Sequence, residues 1–235
     1  MHLAFDELGA TLSCQEHKQQ NAVITTTGGD HKCYSEPHIP IHWDNVCTDT
    51  SLESNRRIGA EISKPFRGVQ IIRDPLQMVA SAYCYHHRGN EKWNLVNAPP
   101  NIMNMSYEEG VPAVAGTMLL TVKQMVQAHQ ASGTDVHIVR FEDLSRSSQD
   151  FDANVALLFN AMFGGLITDI EMTRIRELAK QEDLHHGEIG LSAGNDHVSD
   201  DEDKKLAAAA LDLIDPDLLK QYHELQRVLG YPVGH

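Results

Sequence analysis

Short apolar, β-branched runs alternate with helical periodicity along much of this chain. That is the pattern of an α/β domain with a mainly parallel sheet. Leu3, Phe5, Leu8 and Leu12 predict a helix already under way at Met1, with no N-cap residue before it. Residues 18–64 are rich in Thr, Gly, Asp, His and Pro and read mostly as loop, strand-like only at 22–26 and 38–43. Gly68–Ile72 then predicts a short buried strand, ended by Arg73-Asp74-Pro75. Pro75 opens a helix carrying Met78, Val79, Ala82 and Tyr83. A Pro/Asn-rich loop over 94–104 leads to a helix through Val114, Met118, Val122, Met125 and Val126, which Gly133 ends. A second strand over 136–141 passes through Glu142-Asp143-Leu144 into a helix bearing Phe151, Val155, Leu158, Phe159 and Met162. The same periodicity predicts a helix over about 169–180, and 183–203 reads as an acidic, Gly-containing loop. The last helix takes Asp215 as N-cap, Pro216 in its first turn, Leu218, Leu219, Tyr222, Leu225 and Leu229 as its apolar face, and Gly230 as its stop.

Length and charge narrow this picture. The 235 residues suffice for one sizeable domain, and 41% hydrophobic content supplies a core. The formal net charge of −14 argues against a broad nucleic-acid surface, which needs clustered Lys and Arg. An anionic ligand must therefore be gripped locally. No apolar run approaches the ~20 residues of a membrane helix, and MHLAFDELGA has acids where a signal peptide has a basic start. As written, the chain reads as soluble. The four cysteines lack paired spacing, so a reducing, cytoplasmic compartment is the default. Cys33, His38, His42 and Cys47 do not have the spacing of a zinc set, and no metal is assigned.

The chemistry concentrates after the first strand. Arg73 stands at the strand's C-terminal end, where open α/β sheets bind ligands, and a guanidinium grips phosphate with parallel hydrogen bonds. Ser81 follows eight residues later (81 − 73), about two helical turns, which returns its hydroxyl towards the same crevice. The competing reading pairs Arg73 with Asp74 or Glu142 and makes Ser81 a small packing residue.

The segment GVQIIRDPLQMVASAYCYHH resembles the 3′-phosphate-binding segment of the sulfotransferase family, whose Arg and Ser hold the 3′-phosphate of 3′-phosphoadenylyl sulfate (PAPS). VHIVRFEDL is similar to the family's second landmark, and its aromatic, Phe141, would then contact the donor nucleotide. Asp215 through Tyr231 looks like the closing helix of many members. The resemblance spans residues 68–231. It implies a P-loop-containing nucleoside triphosphate hydrolase-like, three-layer α/β fold over one domain, residues 1–235.

The family's Gly-Thr-Thr phosphate loop, which cradles the 5′-phosphosulfate at a helix N-terminus, has no counterpart in the sequence. Thr25-Thr26-Thr27-Gly28-Gly29 lacks the following apolar helix and reads as a turn. The expectation is an N-terminal truncation, the chain beginning one step after that loop. In tyrosylprotein sulfotransferases the loop's helix leads to a Cys-Gly-Glu-Glu segment with a catalytic Glu. Cys14-Gln15-Glu16-His17 is similar, making Glu16 the candidate base, set against a solvated Glu at a helix end. His42, in HIPIHW, is the second candidate, by analogy with the His of soluble members; a plain exposed loop His is its alternative. Where the family supplies Arg-Lys-Gly to the 3′-phosphate, this chain has Leu184-His185-His186-Gly187, so His186 and Gly187 complete the donor-binding set. His86-His87-Arg88 reads as surface, and the acidic run 199–203 as the start of a charged helix.

The resemblance thus implies an enzyme moving a sulfuryl group from PAPS to a hydroxyl or amine of a small-molecule, carbohydrate or peptide acceptor, without a metal. The alternative is a non-catalytic or truncated sulfotransferase-fold binding protein, whose unpaired sheet edges would favour homo-oligomers. A nucleotide kinase is disfavoured, because no G-x-x-x-x-G-K-[ST] occurs. A Golgi location would follow if an upstream membrane anchor preceded Met1.

Overall fold

The computed structural model describes residues 49–61, 63, 66–89, 98–185 and 201–233. Its helices are α1 (Asp49–Glu61), α2 (Pro75–His87), α3 (Tyr107–Ala131), α4 (Phe141–Leu144), α5 (Ser148–Phe163), α6 (Asp169–Ala179), α7 (Asp201–Ala210) and α8 (Pro216–Val228). Strand β1 (Gly68–Ile72) lies between α1 and α2, and β2 (Val136–Arg140) between α3 and α4. Single 3₁₀ turns occur at Ile102–Asn104, Lys180–Glu182 and Leu211–Leu213. The class is α/β, mostly helical, with a two-stranded parallel sheet among the described residues. The register is anchored where the Gly68 N–H donates to the Asp135 carbonyl at 2.7 Å.

The helix starts follow from local chemistry. Asp74 and Asp215 each cap a helix whose first residue is proline: Asp74 Oδ1 accepts from Leu76 and Gln77 N–H, and Asp215 Oδ1 from Asp217 and Leu218 N–H. Proline has no N–H to orphan there, and the Asp satisfies two donors that the first turn leaves open. Ser147 caps α5, and Thr168 with Glu171 forms a reciprocal capping box on α6. At the far end of α8, Gly230 adopts φ 73°, a left-handed conformation that glycine enters without steric cost.

Packing divides into two compact units. Of the described residues, 51–61, 63, 66–70 and 133–185 form one, and 49–50, 71–89, 98–132 and 201–233 the other. The first unit buries Val136, Val139, Leu144, Phe151, Val155, Leu158, Phe159, Phe163 and Ile175, with the Phe159 and Phe163 rings 6.1 Å apart. Arg56 on α1 grips Asp135 there, through Nε at 2.7 Å and Nη2 at 2.8 Å, and lies 5.8 Å over the Phe66 ring. The second unit buries Val79, Tyr83, Val111, Val114, Met118, Val122, Ala207 and Tyr222. Its two largest buried rings keep their hydroxyls satisfied: Tyr83 donates to the Met105 carbonyl at 2.8 Å and Tyr222 to the Ala115 carbonyl at 2.7 Å. Burial is also what pushes the Tyr83 phenol up to about 12.

Three expectations change. Residues 49–61, read as loop, are helix α1. Its apolar face is thin, with Leu52 buried but Ile58 exposed, so periodicity gave no signal. The second strand stops at Arg140, and Phe141 opens α4 instead of closing the strand. Helix α7 begins at Asp201, so the loop read over 183–203 gives way there to the charged helix start expected from the acidic run 199–203, with Asp201, Glu202 and Asp203 in its first turn as the dipole favours. The first helix and the strand-like stretches 22–26 and 38–43 lie outside the described residues. Among the described residues, no helix is long and apolar enough to cross a membrane.

Candidate functional site

The turn between β1 and α2 joins a charged strand end to a capped helix start. β1 delivers Arg73 at its end, and Pro75 starts α2 two residues on. Ser81 sits on α2, and Arg73 Nη1 donates to Ser81 Oγ at 3.2 Å. Both side chains are half-buried, which strengthens a charged hydrogen bond while leaving a route for a ligand. A hydroxyl that accepts from a guanidinium still carries one O–H donor, so the pair can present both groups to one anion. The eight-residue spacing therefore does what the sequence suggests: it brings Arg73 and Ser81 together.

Asp74, only 8% exposed, lies between them in the chain. Its carboxylate receives Leu76 N–H at 2.8 Å and Gln77 N–H at 3.1 Å on Oδ1. Gln226 of α8 adds Nε2 contacts to Oδ1 at 3.1 Å and Oδ2 at 2.9 Å. Sequence reasoning missed Gln226. A glutamine one turn after Tyr222, beside the predicted apolar face, is the only signal, and nothing in the sequence names its partner 152 positions away.

Further along α2 the chain departs from the surface reading of His86-His87-Arg88. His86 is buried, with its ring 5.5 Å from that of Tyr85. His87 stacks on Tyr83 at 5.1 Å and lies 6.2 Å from Tyr107. Arg88 Nε donates to the Cys84 carbonyl at 2.9 Å. The Tyr83 and Tyr107 rings thus hold His87 against α2 and α3. Tyr107 in turn donates to the Asp203 carboxylate, a hydrogen bond that, with burial, holds its phenol far above the ordinary tyrosine value.

Phe141, the expected donor-nucleotide contact, belongs to the first unit as the half-buried first residue of α4. In the same unit His185 Nε2 lies 2.8 Å from the Ser145 carbonyl, just past α4, and its backbone N–H donates to buried Asp183 at 2.9 Å. The segment leading to the expected His186 and Gly187 is thus pinned beside the second landmark. His186, Gly187, Glu16 and His42 themselves lie outside the described residues, as do Cys33, His38 and Cys47. Compared with protein-family models, with curated proteins and with solved structures, the chain matches none.

Proposed function

We propose that this chain is a sulfotransferase-type enzyme of P-loop-like, three-layer α/β fold, and that Arg73 and Ser81 hold the 3′-phosphate of PAPS. The observation that supports this reading is the 3.2 Å hydrogen bond from Arg73 to Ser81 beside a doubly capped Asp-Pro helix start. Two donors at the C-terminal end of a parallel strand suit a phosphate dianion. Phe141 and the His186-Gly187 segment are assigned to the nucleotide.

In the transfer, the acceptor oxygen attacks sulfur and forms the new S–O bond. The S–O bond to the bridging oxygen breaks, and that oxygen leaves on the 5′-phosphate as adenosine 3′,5′-bisphosphate. Glu16, with His42 as the alternative, takes the acceptor's proton. Positioning and charge stabilisation supply the catalysis, as in phosphoryl transfer.

Calorimetric titration of the full chain with adenosine 3′,5′-bisphosphate tests the reading. Binding is expected, and Arg73→Ala should weaken it by about tenfold or more. Absence of binding, or an unchanged affinity in Arg73→Ala, rejects it. Binding without sulfuryl transfer to any hydroxyl or amine acceptor would leave a binding protein of the same fold.

A further inference from the structure

We propose that Gln226 is a positioning residue for the Arg73–Ser81 anion site, acting through the carboxylate of Asp74; the inference rests on reading that site as a 3′-phosphate site. A carboxylate one residue from Arg73 is a built-in competitor with a phosphate for the guanidinium. It also caps the helix that carries Ser81, so its orientation sets both halves of the site. Two backbone N–H groups hold Oδ1 alone. Gln226 donates to both oxygens, which fixes the carboxylate's rotation.

The way Gln226 is buried points the same way. The residue is 2% exposed, and its Oε1 has no hydrogen-bond partner among the described residues. A methionine of similar volume would fill the space without burying an unsatisfied acceptor. The glutamine's return is the pair of donors on Asp74. A neutral amide does this without adding a second charge, whereas a lysine or arginine there would neutralise Asp74 and place another cation beside the site. Gln226 does not touch the anion. It keeps the acid next door occupied and directed to the start of α2.

The test uses the full chain and two ligands, adenosine 3′,5′-bisphosphate and adenosine 5′-monophosphate, which differ by the 3′-phosphate. Gln226→Met is expected to weaken the bisphosphate by about tenfold while the monophosphate is unchanged, so the preference between them shrinks. Adding Asp74→Asn should restore the preference, because asparagine still caps the helix but no longer competes as an anion. An unchanged preference in Gln226→Met, or no restoration in the double variant, overturns the inference. If Gln226→Met does not fold, Asp74→Asn is compared with Asp74→Asn/Gln226→Met, a pair in which position 74 carries no charge. Equal preferences support the positioning role, and a lower one in the double variant overturns it. Wild-type binding that Arg73→Ala abolishes keeps the site reading intact whatever Gln226 does. No wild-type binding of the bisphosphate removes both.

Discussion

Asp135 carries two jobs with one residue. Its carboxylate takes the forked guanidinium of Arg56, and its carbonyl takes the Gly68 N–H that starts the parallel pairing. The Arg56 hydrogen bonds hold the Asp135 carboxyl below its ordinary 3.8, and Asp135 raises Arg56 in return. A carboxylate with a depressed native value stabilises the fold above its unfolded value, and that contribution is lost as pH falls through the native one. Asp135→Asn should therefore cost about 1 kcal/mol at pH 7, with both partners about a third exposed. In urea unfolding, the gap between wild type and variant should close as pH is lowered below the ordinary 3.8. A gap that persists to the acid limit would mean the pair's charge is not what the variant removes.

At the scale of elements, α3 shows where a helix rule inverts. Glycine inside a helix normally costs about 0.5–1 kcal/mol against alanine. Gly110 faces the buried Tyr83 ring, and an added Cβ would fall 2.7 Å from Cδ2 and 3.2 Å from Cζ. The ring is fully buried and tied by its hydroxyl to Met105, so it has no room to retreat. Gly110→Ala should therefore destabilise by about 1–3 kcal/mol in denaturant unfolding, against the gain propensity alone predicts. A more stable variant would show that the ring gives way. The same elements show what a sequence exposes. Asp74-Pro75 and Asp215-Pro216 were legible as helix starts because a cap and its donors lie within three residues. Arg73 and Ser81 were legible as a pair because helical pitch converts eight positions into proximity. Helix α1 was not, since its hold comes from Arg56 reaching Asp135, 79 positions on, and not from an apolar stripe. Gln226 was not, because its role exists only once α8 has met the start of α2. His87 misled for the same reason: one of the rings it meets, Tyr107, comes from another helix.

At the scale of the whole molecule, the net charge of −14 opposes the proposed ligand before any contact forms. A doubly phosphorylated nucleotide approaching such a chain meets repulsion that salt screens, the screening length falling from about 30 Å at 0.01 M to about 10 Å at 0.1 M. The association rate of adenosine 3′,5′-bisphosphate, followed by stopped flow, should accordingly rise across that range. A rate that falls would show that the local field at Arg73 outweighs the net charge. The bond from Gln226 to Asp74 has a temporal side as well. It joins residues 152 positions apart, closing a long loop whose entropy cost is met late. During synthesis the Arg73 turn leaves the ribosome first, and at about 5–20 residues per second roughly 8–30 s pass before Gln226 is made. Through that interval the hydrogen bonds from Gln226 to Asp74 cannot form, so a nascent chain carries the proposed anion-binding pair well before it carries the residue proposed to tune it.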